Sequence, residues 1–163
     1  MSSVAVGPHL ARAPRHAAVT PDAPPETQAA AEAFEAVWPQ WYVRYSVERA
    51  PFRMTSLPSR LRHSPTYLTA EAFIDVRGVR PDGTVGLDPA AYEALCWWDH
   101  LHPVVLFVHD EANGRWCLEP ISTVSAWISA GAVHPEILRG GRRGWAIPAE
   151  LIFGQGDAEL QLP

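Results

Sequence analysis

An aspartate and an arginine two positions apart, Asp75 and Arg77, stand in the apolar run Phe73-Ile74-Asp75-Val76-Arg77-Gly78. In a strand, successive side chains alternate between faces, so this carboxylate and this guanidinium project to the same side. A carboxylate can hold a hard divalent cation through oxygen, and a permanently charged guanidinium can hold or polarise a phosphate. These are the residue types that a metal-dependent phosphodiesterase uses. A strand-end Asp-x-Arg is also a common structural ion pair, and that alternative stays open. A second cluster surrounds the first. Between residues 42 and 80 the chain has seven arginines (44, 49, 53, 60, 62, 77 and 80) against Glu48, Glu71 and Asp75. Arg53, Arg60, Arg62, His63 and Arg80 are the candidates for neutralising the phosphates of a nucleic acid. A solvated arginine-rich face explains the same count.

The residues around Asp75 carry a family resemblance. Ser64-Pro65-Thr66-Tyr67-Leu68, Phe73–Gly78 and Pro103–Val108 resemble the core of the PD-(D/E)XK, or restriction-endonuclease-like, nucleases. They are also similar to a stretch in small uncharacterised proteins of actinobacterial phages. The similarity covers roughly residues 42–128. In the family an acid follows a proline on one strand, and an acid and a lysine sit two apart on the next. The resemblance implies a restriction-endonuclease-like α/β core, Mg2+ as cofactor, and a phage or mobile-element enzyme that cleaves DNA. It implies that Asp75 and the carbonyl of Val76 bind the metal and that Arg77 acts on the phosphate. A glutamate on the first helix often faces the metal in the family, which points to Glu35. Glu71, in the turn before the second strand, is a substitute ligand.

Two departures bear on this. Thr66 stands where the first acid belongs, and Arg77 where the lysine belongs. A hydroxyl in place of a carboxylate removes one negative charge and weakens any Mg2+ site. Arginine does not exchange a proton near neutrality, so it can hold a phosphate but cannot serve as a base. The expectation is a nuclease-like protein with a degenerate site. The alternative is a non-catalytic DNA- or protein-binding protein, such as a virion component, that keeps the fold.

The elements that position these residues follow from local signals. Thr66–Thr69 and Ala72–Val76 read as strands joined by a two-residue turn at Ala70-Glu71. Glu26 to Trp38 reads as a helix with acids early and Pro39 at its end; Ala30, Phe34, Val37 and Trp38 form the buried stripe. Trp41–Glu48 predicts a strand, and Ala50–Arg62 a loop. Val79–Gly86 reads as a turn built on Pro81-Asp82-Gly83. Asp88 and Pro89 then open a helix that runs to about His100. Pro103–Val108 is a continuous apolar run, as a strand buried on both faces would be, and strand–helix–strand order favours parallel pairing. His109–Gly114 reads as a turn and Arg115–Ile121 as a strand. A short helix capped by Ser122 ends at Gly131. Arg139–Gly144 is a glycine-arginine loop, Trp145–Pro148 an edge strand, and Glu150–Phe153 a helical turn.

Composition sets the frame. The chain has 163 residues and is 47 % hydrophobic with seven tryptophans, enough for one packed α/β domain, expected over residues 26–153. An Ala/Pro-rich arm over residues 1–25 and a tail over 154–163 are expected to be flexible. No apolar run reaches the ~18 residues of a membrane span, and the start lacks a signal-peptide pattern, so the expected location is the cytoplasm, or a virion. The net charge of −5 argues against a uniformly basic surface, and all 13 basic residues are arginine. Cys96 and Cys117 lie in apolar segments without a CxxC spacing, which favours buried thiols. His100, His102 and His109 have ligand-like composition but no accompanying carboxylate motif. P-loop, dinucleotide and GxSxG motifs are absent.

Overall fold

Residues 23–45, 57–138, 141 and 143–154 are described by a computed structural model; the expected arm before residue 23 and the tail after 154 lie outside them. Helix α1 (Pro25–Val37) begins at a Pro24-Pro25 pair, whose fixed φ suits a first turn, and ends where Trp38 turns extended before Pro39. Strand β1 (Tyr42–Arg44) follows, then the helical turn α2 (Ser59–Arg62). The expected hairpin is present. Strand β2 (Tyr67–Thr69) turns into β3 (Phe73–Gly78) with Leu68 opposite Phe73. Thr69 closes the turn, its hydroxyl donating to the Ala72 carbonyl at 2.8 Å and accepting from the Ala72 amide at 3.1 Å.

From β3 the chain passes through strand β4 (Thr84–Leu87) and helix α3 (Pro89–Asp99) into β5 (Val104–Asp110). Asp88 caps α3 by accepting from the Ala90 amide at 2.9 Å. Strand β5 runs parallel to β3, with Asp75 opposite Leu106. A 3₁₀ turn at Glu111–Asn113, closed by Gly114 at φ 62°, returns the chain as antiparallel strand β6 (Arg115–Pro120). Helix α4 (Ile121–Ser129), strands β7 (Pro135–Ile137) and β8 (Arg143–Pro148), and helix α5 (Ala149–Phe153) complete the described chain.

The result is a mixed α/β fold. A five-stranded mixed sheet has the order β1-β2-β3-β5-β6, and a three-stranded sheet the order β4-β8-β7. Alternation along β3 splits the core in two. Ile74 and Val76 pack with Phe34, Tyr67 and Phe107 under α1. Phe73 faces the other way, toward Leu95, Trp98, Leu106 and Ile147 beneath α3 and the second sheet. Strand β5 feeds both layers, which explains its unbroken apolar run. No described helix is long and apolar enough to cross a membrane.

Several expectations are corrected. Val37, expected in the buried stripe of α1, is exposed near the end of the helix. The turn at Pro81-Asp82-Gly83 is real, but Thr84–Leu87 beyond it is a strand, stabilised by pairing with distant β8. Strand β8 is the central strand of its sheet, not an edge; Pro148 is tolerated because it is the last ladder position, opposite Thr84. His109 and Asp110 extend β5 rather than forming a turn. Helix α4 starts at Ile121 with Pro120 before it, so Ser122 is not the cap. Within the segment expected to be a loop, Ser59–Arg62 is helical, and of the expected strand 41–48 only Tyr42–Arg44 is a strand among the described residues.

Candidate functional site

Asp75 sits mid-strand on the face shared with Phe73 and is only 6 % exposed. A carboxylate this deep needs charge and hydrogen bonds around it. Arg77, on the same face, supplies them: its Nε donates to Oδ2 at 2.7 Å, and its Nη2 lies 2.6 Å from the same oxygen. Thr66 precedes β2 and continues its register to lie across from Asp75. Its hydroxyl donates to Asp75 Oδ1 at 3.3 Å and accepts from the Val76 amide at 3.4 Å. The expected juxtaposition of Thr66, Asp75 and Arg77 on one face is therefore present. Both oxygens of Asp75 are engaged from within the protein.

This cluster forms the floor of a cleft of about 330 Å³. Arg62 at the end of α2 lines it, with His63 and Ser64 from the link to β2, and so do Arg80 and Gly86. The remaining sides are the first residues of two helices: Glu26 and Thr27 of α1, and Asp88 and Ala91 at the start of α3. Gly78 fixes how closely α1 approaches, since a Cβ there would collide with the backbone carbonyl of Glu26. Arg80 is braced by the Thr84 hydroxyl and lies 3.5 Å from Asp82. Arg62 makes no ion pair with any described residue, and its Nε and the Ser64 Oγ are buried without a hydrogen-bond partner. Three guanidinium groups, those of Arg62, Arg77 and Arg80, thus share the cleft with the carboxylates of Glu26, Asp75 and Asp88.

The remaining expected residues lie elsewhere. Glu35 is on the opposite side of the sheet. It forms a two-pronged pair with Arg44 at 2.7 and 2.8 Å and accepts from the Tyr67 hydroxyl at 2.8 Å. Burial, and then the Glu35 carboxylate, push the Tyr67 phenol far above its ordinary value. Glu35 therefore locks α1 to β1 and β2 and does not reach Asp75. Glu71 is exposed at the hairpin tip and is not part of the cleft. The Val76 side chain is buried in the layer beneath α1. Arg60 stands over the Trp97 ring, 5.0 Å from its centre, outside the cleft. Arg53 lies outside the described residues. Arg62, His63 and Arg80 do converge on Asp75 and Arg77.

The helix glutamate that faces the cleft is Glu26, nine positions before Glu35 in the sequence. Its position at the acidic first turn was the available signal. Ser64 and Asp88 were also missed as lining residues. His100 is tied by Nδ1 to the Cys96 carbonyl at 2.7 Å, and the His102 ring packs edge-on to Phe73. Among the described residues no three His, Cys, Asp or Glu side chains converge closely enough to hold a metal ion. Both cysteines are free and partly buried; burial, with Glu119 nearby, pushes the Cys117 thiol up to about 12.

No protein-family model, curated protein or solved structure matches this chain.

Proposed function

We propose that the protein binds nucleic acid through the arginine-lined cleft, as a non-catalytic relative of the nuclease pattern it resembles. The observation that carries this reading is the commitment of Asp75 to Arg77 and Thr66 in a cleft where Arg62 and Arg80 also stand. A carboxylate paired in this way has little left to offer a cation. Guanidinium groups around it suit phosphate oxygens, which they can contact two at a time. The antiparallel hairpin, the helix and the parallel strand that follow one another between Tyr67 and Asp110 support the resemblance.

The test is fluorescence anisotropy of a labelled duplex at rising salt. Binding should weaken steeply, because each neutralised phosphate releases counterions. Arg62→Gln combined with Arg80→Gln should reduce both the affinity and the salt slope. No binding at low salt, or binding indifferent to salt, removes the proposal and favours a protein partner.

A second reading, Mg2+-dependent cleavage, is favoured by Glu26, which lines the same cleft as Asp75. As the side chains stand, the donor set does not fit Mg2+, because Arg77 and Thr66 occupy Asp75. Calorimetric titration with Mg2+ or Mn2+, wild type against Asp75→Ala, decides it. Thr66→Asp should strengthen metal binding if the hairpin retains that capacity; unchanged binding in this variant ends the second reading.

A further inference from the structure

Two residues that line the cleft carry orphaned polar groups. The Arg62 Nε and the Ser64 Oγ are buried and have no hydrogen-bond partner among the described residues. Ser64 as a whole is only 9 % exposed. Such groups are rare, because a buried donor without a partner gives up its hydrogen bonds to water and gains none in return. Their backbone is fixed: the Arg62 amide bonds to the Pro58 carbonyl at 3.1 Å and the Ser64 amide to the Leu61 carbonyl at 3.3 Å. Their isolation therefore does not come from a loosely placed chain. Arg77 lines the same cleft and spends its Nε and Nη2 on Asp75, leaving the other edge of its guanidinium. Helix α1 opens on the same space with no side-chain cap at Pro24, so its positive end adds to the field.

We propose that Arg62 and Ser64, with the outer edge of Arg77, form a seat for one phosphoryl group. This deepens the nucleic-acid reading and rests on it. The group is tetrahedral and anionic and offers several acceptor oxygens. One oxygen takes the Arg62 guanidinium. A second takes the Ser64 hydroxyl, once a change between staggered rotamers turns it toward the cleft. A third faces Arg77. No metal is needed for this contact, and it is separate from the pairing of Asp75. The phosphoryl group is either an internal diester or the terminal monoester of a strand, and both present the same oxygens.

The experiment titrates wild type, Ser64→Ala and Arg62→Gln with inorganic phosphate, followed by NMR chemical shifts. Each is then titrated with labelled oligonucleotides of one sequence bearing a 5′-phosphate or a 5′-hydroxyl, and thermal unfolding is recorded for each variant. Ser64→Ala should weaken phosphate and oligonucleotide binding about tenfold, the loss of one hydrogen bond to a charged group. Its melting temperature should hold or rise, because an unsatisfied hydroxyl has been removed. A merely structural serine would give the opposite pair of results. Tighter binding of the 5′-phosphate strand assigns the seat to a terminal monoester, and equal binding assigns it to a diester. If wild type binds oligonucleotide while both variants bind it equally well, the seat is overturned and the nucleic-acid reading survives. If inorganic phosphate shifts Arg62 and Ser64 but no oligonucleotide binds at low salt, the nucleic-acid reading falls. The seat then belongs to a small phosphoester. If neither ligand binds wild type, both are overturned.

Discussion

Removing Arg77 should cost the fold more than removing Asp75, and the size of the difference follows from burial. The side chains are 23 % and 9 % exposed, respectively. In Arg77→Met, the Asp75 carboxylate keeps only Thr66 as a side-chain partner in a site largely closed to water. For charges centred about 4 Å apart at an effective dielectric of about 20, the attraction lost is about 4 kcal/mol. Water entering from the cleft offsets part of that. We expect a net loss of about 2–3 kcal/mol, just below the range for a fully buried pair. Asp75→Asn differs, because it leaves a long arginine that can swing its charge into the cleft and an amide that still meets Thr66. Its cost should be about 1 kcal/mol. The double variant Asp75→Asn/Arg77→Met should lose less than Arg77→Met alone, since no charge is stranded. Urea unfolding at neutral pH, with the slopes compared to verify a common unfolded state, measures all three. Equal losses for the two single variants, or a loss under about 0.5 kcal/mol for Arg77→Met, would refute the view that Asp75 depends on its neighbour for charge balance.

Three further outcomes test the frame. Gly78→Ala should destabilise by about 1–3 kcal/mol and displace the start of α1, because the new methyl meets the Glu26 carbonyl; an unchanged melting temperature would show that α1 is not seated there. Asp110 is held below its ordinary 3.8: burial alone would raise it, but hydrogen bonds from Asn113 and Arg115 prevail. Its contribution is therefore complete above that value and fades as pH falls through the lower folded one. Asp110→Asn should lose about 1.5 kcal/mol at pH 7, and the difference should shrink steadily in acid titrations. Glu119 is displaced the other way: burial raises it, against the Thr123 hydrogen bond. The fold is therefore weakened progressively as pH rises above the ordinary 4.5, fully so above the raised folded value. Glu119→Gln should melt higher than wild type at pH 7, with the gain vanishing as pH drops below the ordinary 4.5; a gain that persists in acid would implicate packing instead.

What was legible in the sequence was what local chemistry fixes. Asp88-Pro89 marks the start of α3 because a cap and a fixed φ act within one turn. The hairpin from Tyr67 to Gly78 follows from alternation and a short turn, and that alternation also placed Thr66, Asp75 and Arg77 together. The parallel pairing of β3 and β5 follows from the helix between them. The misses are long-range. Thr84–Leu87 is a strand only because β8 supplies its partner from far along the chain. Helical spacing placed Ala30 and Phe34 in the buried stripe of α1, but it also placed Val37 there, which is exposed, and it did not show which end lies over the cleft. Gly78 decides that, by letting Glu26 settle against bare backbone. So Glu26 faces the cleft, while Glu35 is drawn to Arg44 and Tyr67 on the other side.

In the relationship proposed above, Thr66 would stand in place of an acid and Arg77 in place of a lysine, and the two exchanges would be physically coupled. Two carboxylates and a lysine leave one negative charge over, which a divalent cation can take up. A threonine in place of one carboxylate leaves Asp75 balanced by a single cation, and arginine suits that role better than lysine. Its planar fork reaches back along the same strand to place two nitrogens on one oxygen, and it stays charged at any working pH. The balance of the cleft then shifts to its rim. Asp88 is spent on the α3 cap and Arg80 is braced by Thr84 and Asp82. Arg62 makes no ion pair with any described residue, and its Nε, like the Ser64 Oγ, is buried without a partner among them. On the proposed reading, a site organised in this way would attract an oxyanion at the wall more readily than a metal at the floor, which puts the decisive substitutions at Arg62 and Ser64 and not at Asp75 alone.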